Sequence, residues 1–136
     1  MAESKSDSKP SVLVIDDDQT VREVLEDLLV LLGYAAPSGA QDGPTGLAAL
    51  LKQLPDAVLL DIAMPGALGG VETLRIIRRA WPDLPVIMVT ANVDEELAKT
   101  TLQAGAFDYV MKPVEIARLR EILAAAMALS GKAVPG

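Results

Sequence analysis

The stretch VLVIDDDQT, Val12 to Thr20, decides how this chain is read. Its first four residues are apolar and mostly β-branched, the composition of a strand buried on both faces. Three consecutive aspartates follow at once. Two carboxylates about 4 Å apart repel by roughly 1 to 4 kcal/mol, depending on how wet the site is. So much negative charge at the mouth of an apolar strand calls for something that offsets the repulsion.

Outward from that stretch the same pattern recurs. AVLLD (Ala57–Asp61) is a second strong strand that ends in a carboxylate, PVIMVT (Pro85–Thr90) ends in a hydroxyl, and FDYVMKP (Phe107–Pro113) runs into Lys112. YAAPSGA (Tyr34–Ala40) is a weaker strand. Pro37 and Gly39 interrupt it, which places it at a sheet edge. Helical periodicity fills the intervals. Between Gln19 and Leu32, Val21, Val24, Leu25, Leu28, Leu29 and Leu32 share one face, Thr20 and Glu23 have capping-box spacing, and Gly33 marks the end. Further helices are expected over Pro44–Gln53, over Val71–Arg79 with Val71, Leu74 and Ile77 inward, over Asp94–Ala104 closed by Gly105, and over Glu115–Leu129. Strand and helix thus alternate five times, with near-continuous apolar strands. That pattern predicts an α/β fold, a parallel sheet covered by helices on both faces.

Composition narrows the chemistry. The 136 residues include 51% apolar residues, enough for one domain with a real core. The net charge of −7, with 19 acidic residues, argues against a nucleic-acid surface. With no cysteine and no histidine, disulfides, zinc sites and Ser-His or Cys-His catalysis are excluded. Any metal must be a hard cation held by oxygen. The N-terminal MAESKSDSKP is polar with no apolar signal-peptide core, and no apolar run is long enough to span a membrane. The expectation is a soluble cytoplasmic protein with no membrane partner.

Parallel strands place all their carboxyl ends on one edge of the sheet, where ligands of such folds bind. Asp16 and Asp17, Asp61, Thr90 and Lys112 therefore converge: three carboxylates, a hydroxyl and an ammonium. Clustered carboxylates without histidine suit Mg²⁺, and the cation supplies what offsets the repulsion in DDD. A lysine and a hydroxyl opposite it suit phosphoryl oxygens. A carboxylate can itself be the nucleophile, and Asp61, flanked by the expected metal ligands and the lysine, is the candidate.

The segments VLVIDDD, AVLLDIAMPG, PVIMVTA and GAFDYVMKP, in this order and spacing, resemble the receiver domain of bacterial response regulators in two-component signalling. The resemblance covers Ser11 to Leu129. It implies a flavodoxin-like, doubly wound, five-stranded parallel sheet of order 2-1-3-4-5 with five helices. It implies a receiver domain over residues 11–129 between a flexible N-terminal tail, 1–10, and a C-terminal tail, 130–136. Carried over by position, Asp61 resembles the phosphoacceptor. Asp17 and Asp61 resemble direct Mg²⁺ ligands with the backbone carbonyl of Ala63, and Asp16 an acidic partner acting through water. Lys112 resembles the lysine that pairs with the phosphoryl group, joined by a cis bond to Pro113. Thr90 and Tyr109 resemble the switch pair. The implied donor is a histidine kinase, a phosphotransfer protein or a small molecule such as acetyl phosphate. The implied output is a downstream protein bound at the face of the fourth helix, fifth strand and fifth helix. Such a protein is a phosphoacceptor that promotes its own phosphorylation and dephosphorylation, not an enzyme acting on a separate substrate.

The chain departs from the family pattern after Asp61, where MPGALGG carries one residue more than the usual MPGMDG and lacks its acid, so a reshaped loop is expected. APSGAQDG is also one residue long. Ala63 and Asn92 occupy sites that tune dephosphorylation in the family. Two alternatives stand beside the leading reading. A pseudo-receiver would keep the fold as a binding module without phosphorylation. A haloacid-dehalogenase-like phosphatase would use Asp16 as nucleophile and Asp18 as acid/base, but leaves LLDIAMPG unexplained. No DNA-binding domain follows Leu129 in this sequence, so the chain reads as a stand-alone receiver or as a fragment of a longer regulator or hybrid kinase.

Overall fold

The computed structural model describes residues 9–64, 68–91 and 95–135. Five strands alternate with five helices: β1 Val12–Ile15, α1 Gln19–Leu31, β2 Ser38–Ala40, α2 Gly43–Lys52, β3 Ala57–Asp61, α3 Gly70–Ala80, β4 Val86–Thr90, α4 Glu95–Gln103, β5 Asp108–Met111 and α5 Ile116–Leu129. All strand pairings are parallel and the sheet order is β2-β1-β3-β4-β5. The order expected from the resemblance holds, with the weak Pro- and Gly-interrupted strand at one edge.

The two-residue period of a strand sends alternate side chains to opposite faces, and each face has its own core. Val12, Val14, Leu59, Ile87, Val89 and Val110 pack with Leu25 and Leu29 of α1 and Leu119, Leu123 and Met127 of α5. Leu13, Ile15, Val58, Leu60, Val86 and Met88 pack with Leu50 of α2 and Leu74 and Ile77 of α3. Burial on both faces explains why β1, and β3 and β4 up to their last residues Asp61 and Thr90, are continuously apolar: every residue of all three is buried.

Several local expectations change. The cap of α1 is Asp18, whose carboxylate accepts from the N–H groups of Thr20 (2.9 Å) and Val21 (3.3 Å). Thr20 therefore lies inside the helix, and Glu23 accepts from the Gln19 amide instead of closing a capping box. Val24, expected inward, is half exposed, because Leu25 and Leu29 already fill the contact with the sheet. α2 begins one residue earlier, at Gly43, capped by Asp42 onto the Thr45 N–H (2.8 Å), with Pro44 in the first turn where no amide donor is needed. On α3, the buried face includes Thr73 beside Leu74 and Ile77, while Val71 is half-buried. Gly33 and Gly105 end α1 and α4 with positive φ angles of 96° and 104°, as helix-terminating glycines do. The Asp94 start of the fourth helix lies outside the described residues.

Candidate functional site

The sheet ladder continues one residue beyond several strand ends and fixes the residues there. The Asp16 N–H donates to Ala40 O at 3.0 Å, the Ile62 N–H to Val89 O at 3.2 Å, and the Lys112 N–H to Thr90 O at 2.7 Å. These bonds bring Asp16, Asp61, Thr90 and Lys112 to one edge, as the sequence predicts. Asp16, Asp61 and Thr90 are buried, and Asp17 is exposed at the rim.

Asp16, Asp17 and Asp61 each present a carboxylate oxygen such that the three lie within 4.8 Å of one another. The Lys112 ammonium sits 3.0 Å from Asp16 Oδ2 and 3.6 Å from Asp61 Oδ1. Asp61 Oδ1 also accepts from the Ala63 N–H at 3.2 Å, and Asp16 Oδ1 from the Asp18 N–H at 2.9 Å. Asp16 Oδ2 is fully buried and has the Lys112 ammonium, 3.0 Å away, as its ionic partner. One ammonium shared between two buried carboxylates, with Asp17 beside them, leaves a surplus of negative charge that a further cation would offset. The donor set therefore fits a hard divalent cation, with Asp16, Asp17 and Asp61 as the carboxylates available to it.

Burial and the neighbouring Asp16 carboxylate push the Asp61 carboxyl up to about 6, against the opposing pull of Lys112 and the Ala63 N–H. Burial works against the charge of Lys112, but the carboxylates of Asp16 and Asp61 outweigh it and raise its pKa. The site thus holds more negative charge than one lysine neutralises.

Behind this cluster, Thr90 lines a narrow crevice with Ile62, Leu97, Ala98, Thr101 and Tyr109. Tyr109 is half-buried against the α3-side core. The Lys112–Pro113 peptide bond is cis. Gly70, the first residue of α3, packs directly on the backbone of Asp61 and Ile62, so closely that a Cβ there would collide with the Asp61 carbonyl. Of the loop that departs from the family pattern, residues 65–67 lie outside the described residues, as does Asn92. A depression of about 790 Å³, lined by Trp81 and Phe107, lies at the opposite sheet edge, where Asp56 and Pro85 precede β3 and β4.

Sequence reasoning missed Arg22. Its guanidinium Nη1 donates to the backbone carbonyl of Asp16 at 2.6 Å. Six residues away on a helix, it carries no sequence signal beyond lying one turn after the N-cap.

Comparison with known proteins places this geometry in a family. The family described as response regulator receiver domain matches residues 12–124. The chain is 43% identical over 105 residues to the DNA-binding transcriptional regulator NtrC of Salmonella typhimurium, covering 77% of this chain and 22% of that protein. It is 42% identical over 126 residues to the response regulator MprA of Mycolicibacterium vanbaalenii, covering 91% and 52%. Among solved structures, the CheY-like receiver domain protein of Methanospirillum hungatei superimposes with a TM-score of 0.84 at 29% identity, covering 91% of this chain and 98% of that one. The chemotaxis protein CheY4 of Vibrio cholerae superimposes with a TM-score of 0.81 at 26% identity, covering 88% and 99%. The chain belongs to the receiver domains of two-component response regulators. It spans between about a fifth and a half of the length of the curated relatives it matches. Among the described residues, no helix is long and apolar enough to cross a membrane.

Proposed function

We propose that this receiver is a phosphorylation-dependent switch in which Asp61 is the phosphoacceptor. A carboxylate oxygen of Asp61 attacks phosphorus, and the bond from phosphorus to the donor's leaving atom breaks. That atom is an imidazole nitrogen of a histidine kinase or phosphotransfer protein, or the acyl oxygen of acetyl phosphate. The product is an aspartyl phosphate, and attack of water on its phosphorus returns the carboxylate and inorganic phosphate. The chain in this reading turns over its own acyl phosphate, in the cytoplasm, and acts on no separate substrate.

The observation that carries the reading is the cluster of Asp16, Asp17 and Asp61, three carboxylates with the single Lys112 ammonium shared between Asp16 and Asp61. Asp16, Asp17, Asp61 and the Ala63 carbonyl would hold Mg²⁺, which when bound neutralises charge on phosphoryl oxygens. Lys112 holds the incoming phosphoryl group by its ammonium, a point charge between Asp16 and Asp61. Thr90 offers its hydroxyl from the end of β4, and Tyr109 takes up or vacates the crevice they share. The output surface is the face of α4, β5 and α5, with a downstream protein as partner and no direct nucleic-acid contact. The site residues have the complement a phosphoacceptor needs, so the pseudo-receiver alternative gains no support.

Borohydride tests the assignment, because it reduces an acyl phosphate to an alcohol. Treatment after incubation with acetyl phosphate and Mg²⁺ is expected to convert Asp61 to homoserine in the peptide that carries it. Conversion of Asp16 or Asp17 in its place contradicts the reading.

A further inference from the structure

Asp16 is held at every polar atom. Its N–H donates to Ala40 O, its Oδ1 accepts from the Asp18 N–H, its carbonyl accepts from Arg22 Nη1 at 2.6 Å, and its Oδ2 pairs with the Lys112 ammonium. The first two bonds are local to the strand edge and the turn. The third reaches in from α1 and uses a donor that is always charged, the stronger class of hydrogen bond. Gly39 of the edge strand opens the path. A Cβ at that position would lie 2.6 Å from Glu26 Oε2 and 3.4 Å from Arg22 Cδ, so the missing side chain is what lets both run across β2.

We infer that Arg22 is a positioning residue for the cation site, a proposal that rests on the reading of the acidic cluster given above. The carbonyl it holds belongs to the planar peptide that joins Asp16 to Asp17. Fixing that plane fixes the direction in which the exposed Asp17 leaves β1, and with it the aim of the Asp17 carboxylate toward Asp61. Groups that orient ligands in this way commonly change metal affinity by 10- to 100-fold when lost. The charge of Arg22 has the opposite sign of effect. A guanidinium bound to the Asp16 carbonyl adds positive charge near the site and repels a cation, so charge alone would make its removal tighten Mg²⁺ binding. Positioning and charge therefore predict opposite outcomes.

The test is a Mg²⁺ titration of the full chain, followed by calorimetry and by amide NMR shifts, with the metal-free melting temperature measured alongside. Wild type should bind saturably and Asp17→Asn should lose binding. Arg22→Met, which keeps the stem and loses the donor, should bind roughly tenfold more weakly, and Arg22→Lys should recover part of the loss. Unchanged or tighter binding in Arg22→Met overturns the inference while leaving the metal site standing. No binding by wild type, or none lost in Asp17→Asn, overturns the metal site and the inference with it. Should Arg22→Met fail to fold, Gly39→Val crowds the same stem with the arginine present. Weaker binding there supports the inference, and unchanged binding overturns it.

Discussion

Asp61 answers opposing demands within one side chain. Buried beside Asp16, it is pushed up to about 6, yet the roles of nucleophile and metal ligand proposed for it require the ionised form. In metal-free solution this has a stability consequence of definite sign. The folded-state pKa lies above the ordinary 3.8, so Asp61 favours folding below about 3.8, and that contribution is lost as pH rises through about 6. Asp61→Asn should therefore be more stable than wild type by about 1 to 2 kcal/mol at pH 7.5 in EDTA, less than the full shift implies because water reaches the rim of the site. The difference should shrink toward zero as pH falls to about 4, which urea unfolding at several pH values reads directly. Phosphorylation by acetyl phosphate at limiting Mg²⁺ should slow as pH drops below about 6, because the protonated carboxyl is no nucleophile. Of the residues at the site, the sequence placed Asp16, Asp17, Asp61, Thr90 and Lys112 correctly at one edge, because each terminates a strand and parallel strands share their carboxyl ends. Arg22 was not legible, since an arginine on a helix surface is most often a solvated charge and its acceptor is a backbone atom.

At the scale of elements, the three aspartates of DDD divide their labour by geometry. Asp18 caps α1, while Asp16 and Asp17 face Asp61. Asp18→Ala should cost about 1 kcal/mol of stability by removing the cap, and leave Mg²⁺ affinity nearly unchanged. A calorimetric Mg²⁺ titration and a urea melt of the same variant separate the two readouts. Gly70→Ala should do the reverse of a harmless glycine replacement. Its Cβ meets the backbone of Asp61 and Ile62, atoms that cannot rotate away, so the start of α3 must shift and the Asp61 carboxylate with it. A lower melting temperature and weaker Mg²⁺ binding together are the expected result. Elements were legible where burial is two-sided: β1, β3 and β4 declare themselves as apolar runs. Edges and caps were not. Asp18 outcompeted the Thr20–Glu23 spacing because its carboxylate reaches two amides at once, and Val24 turned outward because periodicity alone cannot say how wide a stripe the sheet can cover.

For the whole molecule, the site and the sheet are one structure, since the ladder that builds the core also holds Asp16, Ile62 and Lys112 in place. Occupying the site should therefore stabilise the entire fold. Mg²⁺ at 100 times its Kd should add about 2.7 kcal/mol to the unfolding free energy of wild type, seen as a rise in melting temperature that Asp17→Asn lacks. The most direct test of the central claim is intact-mass measurement after incubation with acetyl phosphate, sampled early, with and without Mg²⁺, for wild type and Asp61→Asn. The account predicts a gain of one phosphoryl group that requires Mg²⁺ and is absent from Asp61→Asn. No adduct at the earliest time, or an adduct that survives Asp61→Asn and disappears with Asp16→Asn, would contradict it.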